Sequence, residues 1–251
     1  MRDDRHSTPA RTLRLVLAAV GLLGAGTLLQ ARADPARFLT FIEVRSDASQ
    51  RAQAILREYA RTLRRGALPP RVVVLQEIDR SERFVVLESS ERAEALAGLE
   101  RRSRPLLQSL EPLLTAPPDR RAYRDVSAGC GDTAARSDSA ATPRVQGDAV
   151  AKSRPLYVVA HLDIAGPMRP GPADALARLA EAACSGAGHG RLEVWQQVNR
   201  GNHFNVIGAW TSARDFDAFA ASAAARTFRD TVGPWLGSPY DERLYRALDT
   251  E

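Results

Sequence analysis

Lysine and cysteine are almost absent from this sequence. Lys152 is the only lysine among 35 basic residues, and Cys130 and Cys184 are the only cysteines. No stripe of arginines is interleaved with aromatic residues, so we do not expect a nucleic-acid partner. Two cysteines exclude a disulfide-rich scaffold. In an oxidising compartment they can pair, so a Cys130–Cys184 disulfide and two separate thiols both stay open.

Long apolar runs and the short motifs of common enzymes are also missing. No Walker loop, nucleophile elbow or dinucleotide fingerprint occurs, so we expect no cofactor. His161 and Asp163 lie two residues apart on one strand face, and His203 could approach them from another strand. Nothing fixes a third ligand, so we expect no metal.

The N-terminus predicts export. Its apolar run, Leu15 to Leu29, is shorter than the roughly 20 residues that span a bilayer. Arginines precede the run and Ala31-Arg32-Ala33 follows it, which is typical of a cleaved signal peptide. We predict a signal peptide over residues 1–33 and a periplasmic or secreted mature chain with no membrane contact. An uncleaved N-terminal membrane anchor is the alternative.

Part of the sequence is repeated. Six residues recur 120 positions later without a gap: Arg71 and Arg191, Val74 and Val194, Gln76 and Gln196, Arg80 and Arg200, Phe84 and Phe204, Val86 and Val206. The flanks align with small slips: Phe38–Val44 with Leu156–Leu162, Pro112–Leu114 with Pro234–Leu236, and Tyr123-Arg124 with Tyr245-Arg246. Two copies of one small unit predict a fold that pairs with itself.

The repeat predicts two domains, at residues 34–126 and 156–251. Residues 127–155 contain no aromatic residue, leucine or isoleucine and are predicted to be a flexible linker. Each copy has the order β-α-β-β-α-β of a ferredoxin-like unit. Strands such as Val72 to Leu75 are apolar on both faces, so we expect the other copy's sheet to cover the second face. The predicted α+β protein is a monomer that acts as a pseudo-dimer.

Local patterns predict the helix ends. Asp47 is predicted to cap the first helix, and the second is predicted to be interrupted near Pro105. In the second copy, Ser212 and Asp215 form a capping box.

The second copy resembles the antibiotic biosynthesis monooxygenase domain family. The residues that carry the resemblance are the hairpin from Arg191, the step Ala209-Trp210-Thr211-Ser212, and the helix start Asp215-Phe216-Asp217-Ala218-Phe219. The resemblance implies a dimeric α+β barrel. It also implies oxidation of phenols or quinols by dioxygen without metal or flavin in many members.

Two departures from the family pattern weaken a direct transfer of mechanism. Asn205 lies five residues before Trp210 rather than four, so it is expected on the other strand face, pointing away from the pocket unless a bulge intervenes. The histidine often found in the following helix is missing, and Phe219 lies near its place.

The candidate site residues lie in the second copy, because all histidines and tryptophans after residue 33 are there. The first copy is interpreted as a degenerate scaffold. The catalytic candidates are His161, Asn205 and Trp210, and the substrate-binding candidates are Tyr157, Trp195, His203, Phe216 and Phe219. His161 is either a proton acceptor or a satisfied core residue, and Trp210 is either a stacking wall or a core residue.

The leading hypothesis is an exported protein that binds, and oxidises without a cofactor, a small aromatic molecule. The rival is a non-catalytic binding or structural protein on the same fold. A closed cavity with convergent polar groups in the second copy favours the enzyme. A pocket filled by Phe216, Phe219 and Phe228 favours the rival.

Overall fold

Alternating apolar residues build short strands at matching places in both copies. The computed structural model describes residues 36–65, 69–90, 94–126, 155–165, 170–185 and 190–249. The first copy contains β1 (Ala36–Glu43), α1 (Ser49–Arg64), β2 (Arg71–Glu77), β3 (Arg83–Ser90), α2 (Glu94–Leu110) and β4 (Asp119–Asp125). The second contains β5 (Leu156–Asp163), α3 (Pro170–Ser185), β6 (Arg191–Gln197), β7 (His203–Trp210), α4 (Ala213–Ala220), α5 (Ala223–Val232) and β8 (Asp241–Ala247).

The strands of the described residues close into one barrel. Their order is β1-β3-β2-β8-β5-β7-β6-β4, and every neighbouring pair is antiparallel. Strand directions therefore alternate around the ring, and β1 runs parallel to its counterpart β5. An approximate two-fold axis along the barrel thus relates the copies. The predicted fold, two ferredoxin-like units paired as an intrachain dimeric α+β barrel, is confirmed.

Two equivalent seams join the copies. Strand β2 pairs with β8, where Glu77 lies opposite Tyr245, and β4 pairs with β6, where Gln197 lies opposite Tyr123. In the second seam, Arg124 Nε and Nη2 donate to the side-chain oxygen of Gln196 at 2.9 and 2.6 Å. Using the same pairing twice leaves no open sheet edge.

The strand register corrects one alignment made from the sequence. Phe41 pairs with Val85, and His161 pairs with Asn205. Asn205 lies 120 positions after Val85, so His161 is the counterpart of Phe41 at the same offset. The predicted slip that aligned Phe38–Val44 with Leu156–Leu162 is therefore wrong. A shift of two residues keeps every side chain on its face, so alternation alone cannot detect it.

Three apolar clusters follow from strand alternation. One lies between the sheet and helices of the first copy, one lies in the same place in the second copy, and one fills the barrel interior. In β2, Val72 and Val74 face the helices, whereas Val73 and Leu75 face the interior. The expectation that the other copy covers the second strand face is met inside the barrel.

Tertiary packing changes two of the predicted helix features. A 3-10 turn over Ser46–Ala48 includes Asp47, and α1 begins after Ala48, so Asp47 does not cap it. Helix α2 continues through Pro105, because Leu99, Leu106 and Leu110 on either side pack into the core. The predicted interruption there is wrong.

The helix start after β7 agrees with its sequence pattern. The backbone N–H of Asp215 donates to Ser212 Oγ at 3.2 Å, and Ser212 Oγ–H donates to the Asp215 carboxylate at 2.7 Å. Ser222 caps a second start, since its Oγ accepts from the Ala225 N–H at 3.2 Å. The helical region is therefore divided into α4 and α5.

Some predictions fall on residues that the structure does not describe. The signal peptide over 1–33 and nearly all of the linker over 127–155 lie outside the described residues, so both stay predictions, as do the domain boundaries. None of the helices in the described ranges is long and apolar enough to span a membrane.

Candidate functional site

The barrel interior has cavities at both ends, with different linings. Where β1, β2 and β5 end, a cavity of about 380 Å³ is lined by Phe41, Glu77, Arg121, His161, Arg243 and Tyr245. We call it the histidine-end cavity. At the opposite arginine end, a cavity of about 30 Å³ is lined by Arg71, Tyr157, Arg191, Glu193, Trp195 and Ile207. The candidate residues inside the barrel are thus divided between its two ends.

His161 lies on the interior face of β5, opposite Asn205 on β7 and Asp241 on β8. Its Nδ1 is buried and has no hydrogen-bond partner within the described ranges, and its ring centre is 5.5 Å from that of His203. Burial, Arg121 and His203 lower the pKa of His161, and two nearby aspartates oppose this only in part. The imidazole is therefore neutral at pH 7 and can accept a proton.

Asn205 points into the barrel and is fully buried. Its Nδ2 donates to the Tyr123 hydroxyl at 2.6 Å, while its Oδ1 has no partner among the residues that the structure describes. Burial raises the pKa of Tyr123 to about 12, so this phenol stays protonated. The expectation from the spacing was correct that Asn205 and Trp210 lie on opposite faces. However, Trp210 is the one that points away from the barrel interior.

Trp210 packs between the sheet and the helices of the second copy. Its ring centre is 4.6 Å from that of Phe219 and 6.0 Å from that of Phe216. A Cβ at Gly190 would lie 2.0 Å from the Trp210 ring, so only glycine allows this approach. These three aromatic residues form a helix-side core, and Phe228 lies in the same cluster. None of them joins His161 inside the barrel.

Tyr157 and Trp195 lie inside the barrel at the arginine end. Both are buried, and both line the smaller cavity rather than the one that His161 lines. The guanidinium of Arg37 lies 5.2 Å from the Trp195 ring centre, and Trp195 Nε1–H donates to Glu193 at 3.0 Å. The structure thus separates these two candidates from the other interior ones.

Glu193 forms ion pairs with arginines from both copies. Its carboxylate lies 2.9 Å from Arg191 Nε, 3.3 Å from Arg71 Nη1 and 3.7 Å from Arg37 Nη1. Burial alone would raise the pKa of Glu193, but the three guanidinium groups and the Trp195 N–H together lower it below its ordinary value. The buried carboxylate is therefore ionised and links the two copies.

His203 and several ion pairs lie at the histidine end of the barrel. His203 Nε2 lies 3.4 Å from Asp163 Oδ1. Arg243 lies 2.9 Å from Asp241 and 3.6 Å from Glu77 of the first copy. The rim of the histidine-end cavity is therefore charged but internally paired.

The first copy has buried polar groups on the other face of its sheet. Glu88 is fully buried between sheet and helices, where it accepts hydrogen bonds from Tyr59 and Arg120. Arg120 also donates to Thr40 Oγ1 at 3.1 Å. Burial and the carboxylate raise the pKa of Tyr59. The counterpart of Glu88 is Gly208, so this network belongs to the first copy.

The comparison with known proteins agrees with this architecture. Residues 155–231 match the family model described as antibiotic biosynthesis monooxygenase. By sequence, this part of the chain is similar to antibiotic biosynthesis monooxygenase domains. The resemblance predicted for the second copy is confirmed. A search of curated protein sequences finds no match to the chain.

Solved structures match both copies within one chain. A candidate monooxygenase from Fusobacterium nucleatum subsp. nucleatum superposes with a TM-score of 0.66 at 9% identity, covering 86% of this chain and 94% of that one. Another from Lactobacillus acidophilus NCFM gives 0.63 at 8%, covering 85% and 94%. An anthrone oxidase-like protein gives 0.58 at 11%, covering 86% and 92%. At such identities the likeness shows the fold alone.

The second copy supplies only part of the histidine-end cavity. Reasoning from the sequence missed Phe41, Arg121 and Tyr123, because it placed the whole site in the second copy. A signal existed in the pattern Asp-x-Arg-x-Tyr-Arg, which occurs at residues 119–124 and 241–246. Alternation puts the Asp, first Arg and Tyr on one strand face.

Neither metal nor disulfide chemistry can be assigned to the site. Within the described portion of the chain, no group of three or more His, Cys, Asp or Glu residues could hold a metal ion. Cys184 lies half-buried on α3, but Cys130 lies outside the described residues, so their disulfide stays a prediction.

Proposed function

We propose that the protein binds a small phenol- or quinol-type molecule in the histidine-end cavity, where His161 accepts the phenolic proton. The observation that supports this most is the position of His161 in the lining of a cavity of about 380 Å³, together with Phe41 and Tyr245. Burial and Arg121 lower the pKa of His161, which favours the neutral imidazole. Pockets for small molecules measure about 300–1,000 Å³, and the volume of this cavity lies within that range.

The proposed reaction is oxidation by dioxygen without an added cofactor. Loss of the proton gives a phenolate, which can donate an electron to dioxygen. The O–O bond then breaks, one oxygen atom becomes a quinone carbonyl on a ring carbon, and the other leaves as water with the two hydrogens lost from the phenol. The substrate supplies every electron, and the barrel supplies orientation and stabilisation of the developing charge.

Arg121 supports this chemistry through its charge. It lines the same cavity, and it disfavours the protonated form of His161. A cation that disfavours imidazolium also stabilises a phenolate nearby. We therefore expect turnover to rise with pH through the lowered pKa of His161, about tenfold per pH unit, and to level off by neutral pH.

Oxygen uptake with a panel of phenols and quinols tests the proposal. His161→Phe installs the residue of the first copy and should reduce turnover at least about 100-fold. Phe219→Leu is the control, because it changes the helix-side core of the same copy without touching the barrel interior. No oxygen uptake by the wild type, or full turnover by the His161 variant, contradicts the proposal.

A binding protein without turnover is the second candidate. Trp210, Phe216 and Phe219 pack together between the sheet and helices of the second copy, as expected if that side has lost a ligand pocket. Quenching of tryptophan fluorescence by a quinol, with no oxygen uptake, would identify this function.

We also propose that the protein acts outside the cytoplasm after cleavage near Ala33. The N-terminal arginines, the apolar run and Ala31-Arg32-Ala33 support this. Mass spectrometry of protein from a native-like host should find a mature chain that begins near Asp34. Recovery of the full-length chain in the membrane fraction supports the anchored alternative.

A further inference from the structure

We propose that Asn205, held by Tyr123, is a positioning residue that decides which ring nitrogen of His161 carries the proton. Asn205 Oδ1 accepts a hydrogen bond from His161 Nδ1–H, directly or through one water molecule, and Nε2 keeps its lone pair for the ligand. The inference rests on the proposed role of His161 as a base, and it adds the group that defines the basic nitrogen.

The amide of Asn205 is only half satisfied by its neighbours. Nδ2 donates to the Tyr123 hydroxyl at 2.6 Å, which fixes the amide plane. Oδ1 is buried, and no described residue donates to it. Buried amide oxygens nearly always accept a hydrogen bond, so this atom is expected to have a donor close by.

His161 supplies that donor. The two residues lie directly opposite each other in the antiparallel pair of β5 and β7. Cβ atoms in such pairs are about 5 Å apart, within reach of an imidazole and an amide. Nδ1 of His161 is buried and is likewise without a partner among the described residues. One hydrogen bond satisfies both atoms.

Comparison of the copies shows that the two residues occur as a pair. At the corresponding positions of the first copy, Phe41 lies opposite Val85. Neither side chain can form a hydrogen bond, so the first copy has neither the base nor its acceptor. The polar pair replaces an apolar pair as a unit.

A neutral acceptor suits a base that must stay unprotonated. A carboxylate in place of Asn205 would favour imidazolium. The charged or titratable groups that act on the ring come from four strands: Arg121 on β4, Asp163 on β5, His203 on β7 and Asp241 on β8. The amide defines the protonated nitrogen without adding to this charge balance.

Nitrogen-15 NMR of histidine-labelled protein tests the inference in the absence of any substrate. The chemical shifts distinguish protonated from unprotonated ring nitrogens, and loss of signals in His161→Phe identifies those of His161. Free histidine prefers its proton on Nε2. A proton on Nδ1 at neutral to alkaline pH is the expected result. A proton mainly on Nε2 in the wild type would overturn the inference.

Three variants separate positioning from a merely structural role. Asn205→Val installs the residue of the first copy and should move the proton toward Nε2. Asn205→Asp keeps an acceptor, and it should retain the Nδ1 proton and raise the pKa of His161 by about one unit or more. Tyr123→Phe frees the amide to rotate and should give a mixture of the two forms.

Tyr59→Phe is the control, because it also removes a buried tyrosine hydroxyl but lies on the helix side of the first copy, away from the barrel interior, and should leave the His161 signals unchanged. An unchanged proton distribution in a folded Asn205→Val protein overturns the inference. Absence of oxygen uptake in the wild type contradicts the proposed function alone, since the NMR result does not depend on turnover.

Discussion

The two copies bury their polar groups on opposite faces of one continuous sheet. In the first copy, Glu88 and Arg120 lie between sheet and helices, and Phe41 is inside the barrel. In the second copy, Trp210 fills the helix side, and His161 and Asn205 are inside. One backbone plan therefore accepts buried polar groups on either face of the sheet.

The residues shared by the copies explain why the frame tolerates this exchange. Gln76 and Gln196 occupy equivalent positions, and each donates to a backbone carbonyl in its own hairpin turn, Ser81 or Gly201. Gln196 also accepts the seam contact from Arg124. The repeated residues therefore stabilise the turns and the seams. Residues that differ between the copies can change the barrel interior without removing these contacts.

Removal of the aromatic helix-side core should have the largest effect on the second copy. Trp210→Ala is expected to lower the free energy of unfolding by about 4 kcal/mol, because a buried indole in contact with Phe216 and Phe219 is lost. Urea denaturation measures this. Trp210→Phe should cost less and leave ligand binding intact. Loss of binding in a stable Phe variant would instead show a direct role in the site.

The second largest loss of stability is expected from substitution of Glu88, the buried acid of the first copy. Glu88→Gln is expected to cost about 3 kcal/mol, because it leaves the Arg120 charge buried without its carboxylate. The control is Glu58→Gln, which breaks the exposed pair with Arg61 and should cost less than about 1 kcal/mol. Equal costs for both variants would contradict the idea that the first copy depends on a buried network.

Glu193 tests the contacts that join the copies. Glu193→Gln should cost about 2 kcal/mol at neutral pH, since Arg37, Arg71 and Arg191 lose their shared carboxylate. The folded-state pKa of Glu193 is lowered, so its stabilisation is present above the ordinary value of 4.5 and is lost as pH falls through the lower folded value. Denaturation curves of the two proteins should therefore converge in acid. A constant difference from neutral pH into acid would refute this ionisation.

The smallest expected effect on stability is that of removing the hydroxyl group from either of two equivalent tyrosines, Tyr123 and Tyr245. Tyr123→Phe removes the acceptor for Asn205 and should cost about 1 kcal/mol. Tyr245 is the counterpart of Tyr123, but the first copy has Val85 at the position that corresponds to Asn205. Tyr245→Phe should therefore cost less. Thermal unfolding of both variants measures the difference. A larger cost at Tyr245 would reverse the proposed asymmetry.

Local sequence patterns predict the parts of the fold that depend on neighbouring residues. The element order and the capping box of Ser212 and Asp215 follow from alternation and cap chemistry. The prediction for Asp47 was wrong because this residue lies in a 3-10 turn before the helix. The prediction for Pro105 was wrong because core packing keeps the helix continuous through it.

The site depends on contacts that local patterns do not contain. Alternation correctly separated Asn205 from Trp210, but it cannot say which face lines a cavity. Phe41 and Arg121 join His161 only because β4 pairs with β6 and β2 pairs with β8, which brings the two copies together. Such edge pairings join distant segments, and no periodicity in either segment records them.

The parallel course of β1 and β5 has a consequence for recognition. Two identical chains around such an axis would present every interior side chain twice, and a ligand on the axis would meet the same groups after half a turn. Because both copies belong to one chain, His161 has Phe41 as its counterpart rather than a second histidine. A ligand in this cavity would therefore meet an imidazole where half a turn about the axis places a phenyl ring, so its two orientations would not be equivalent.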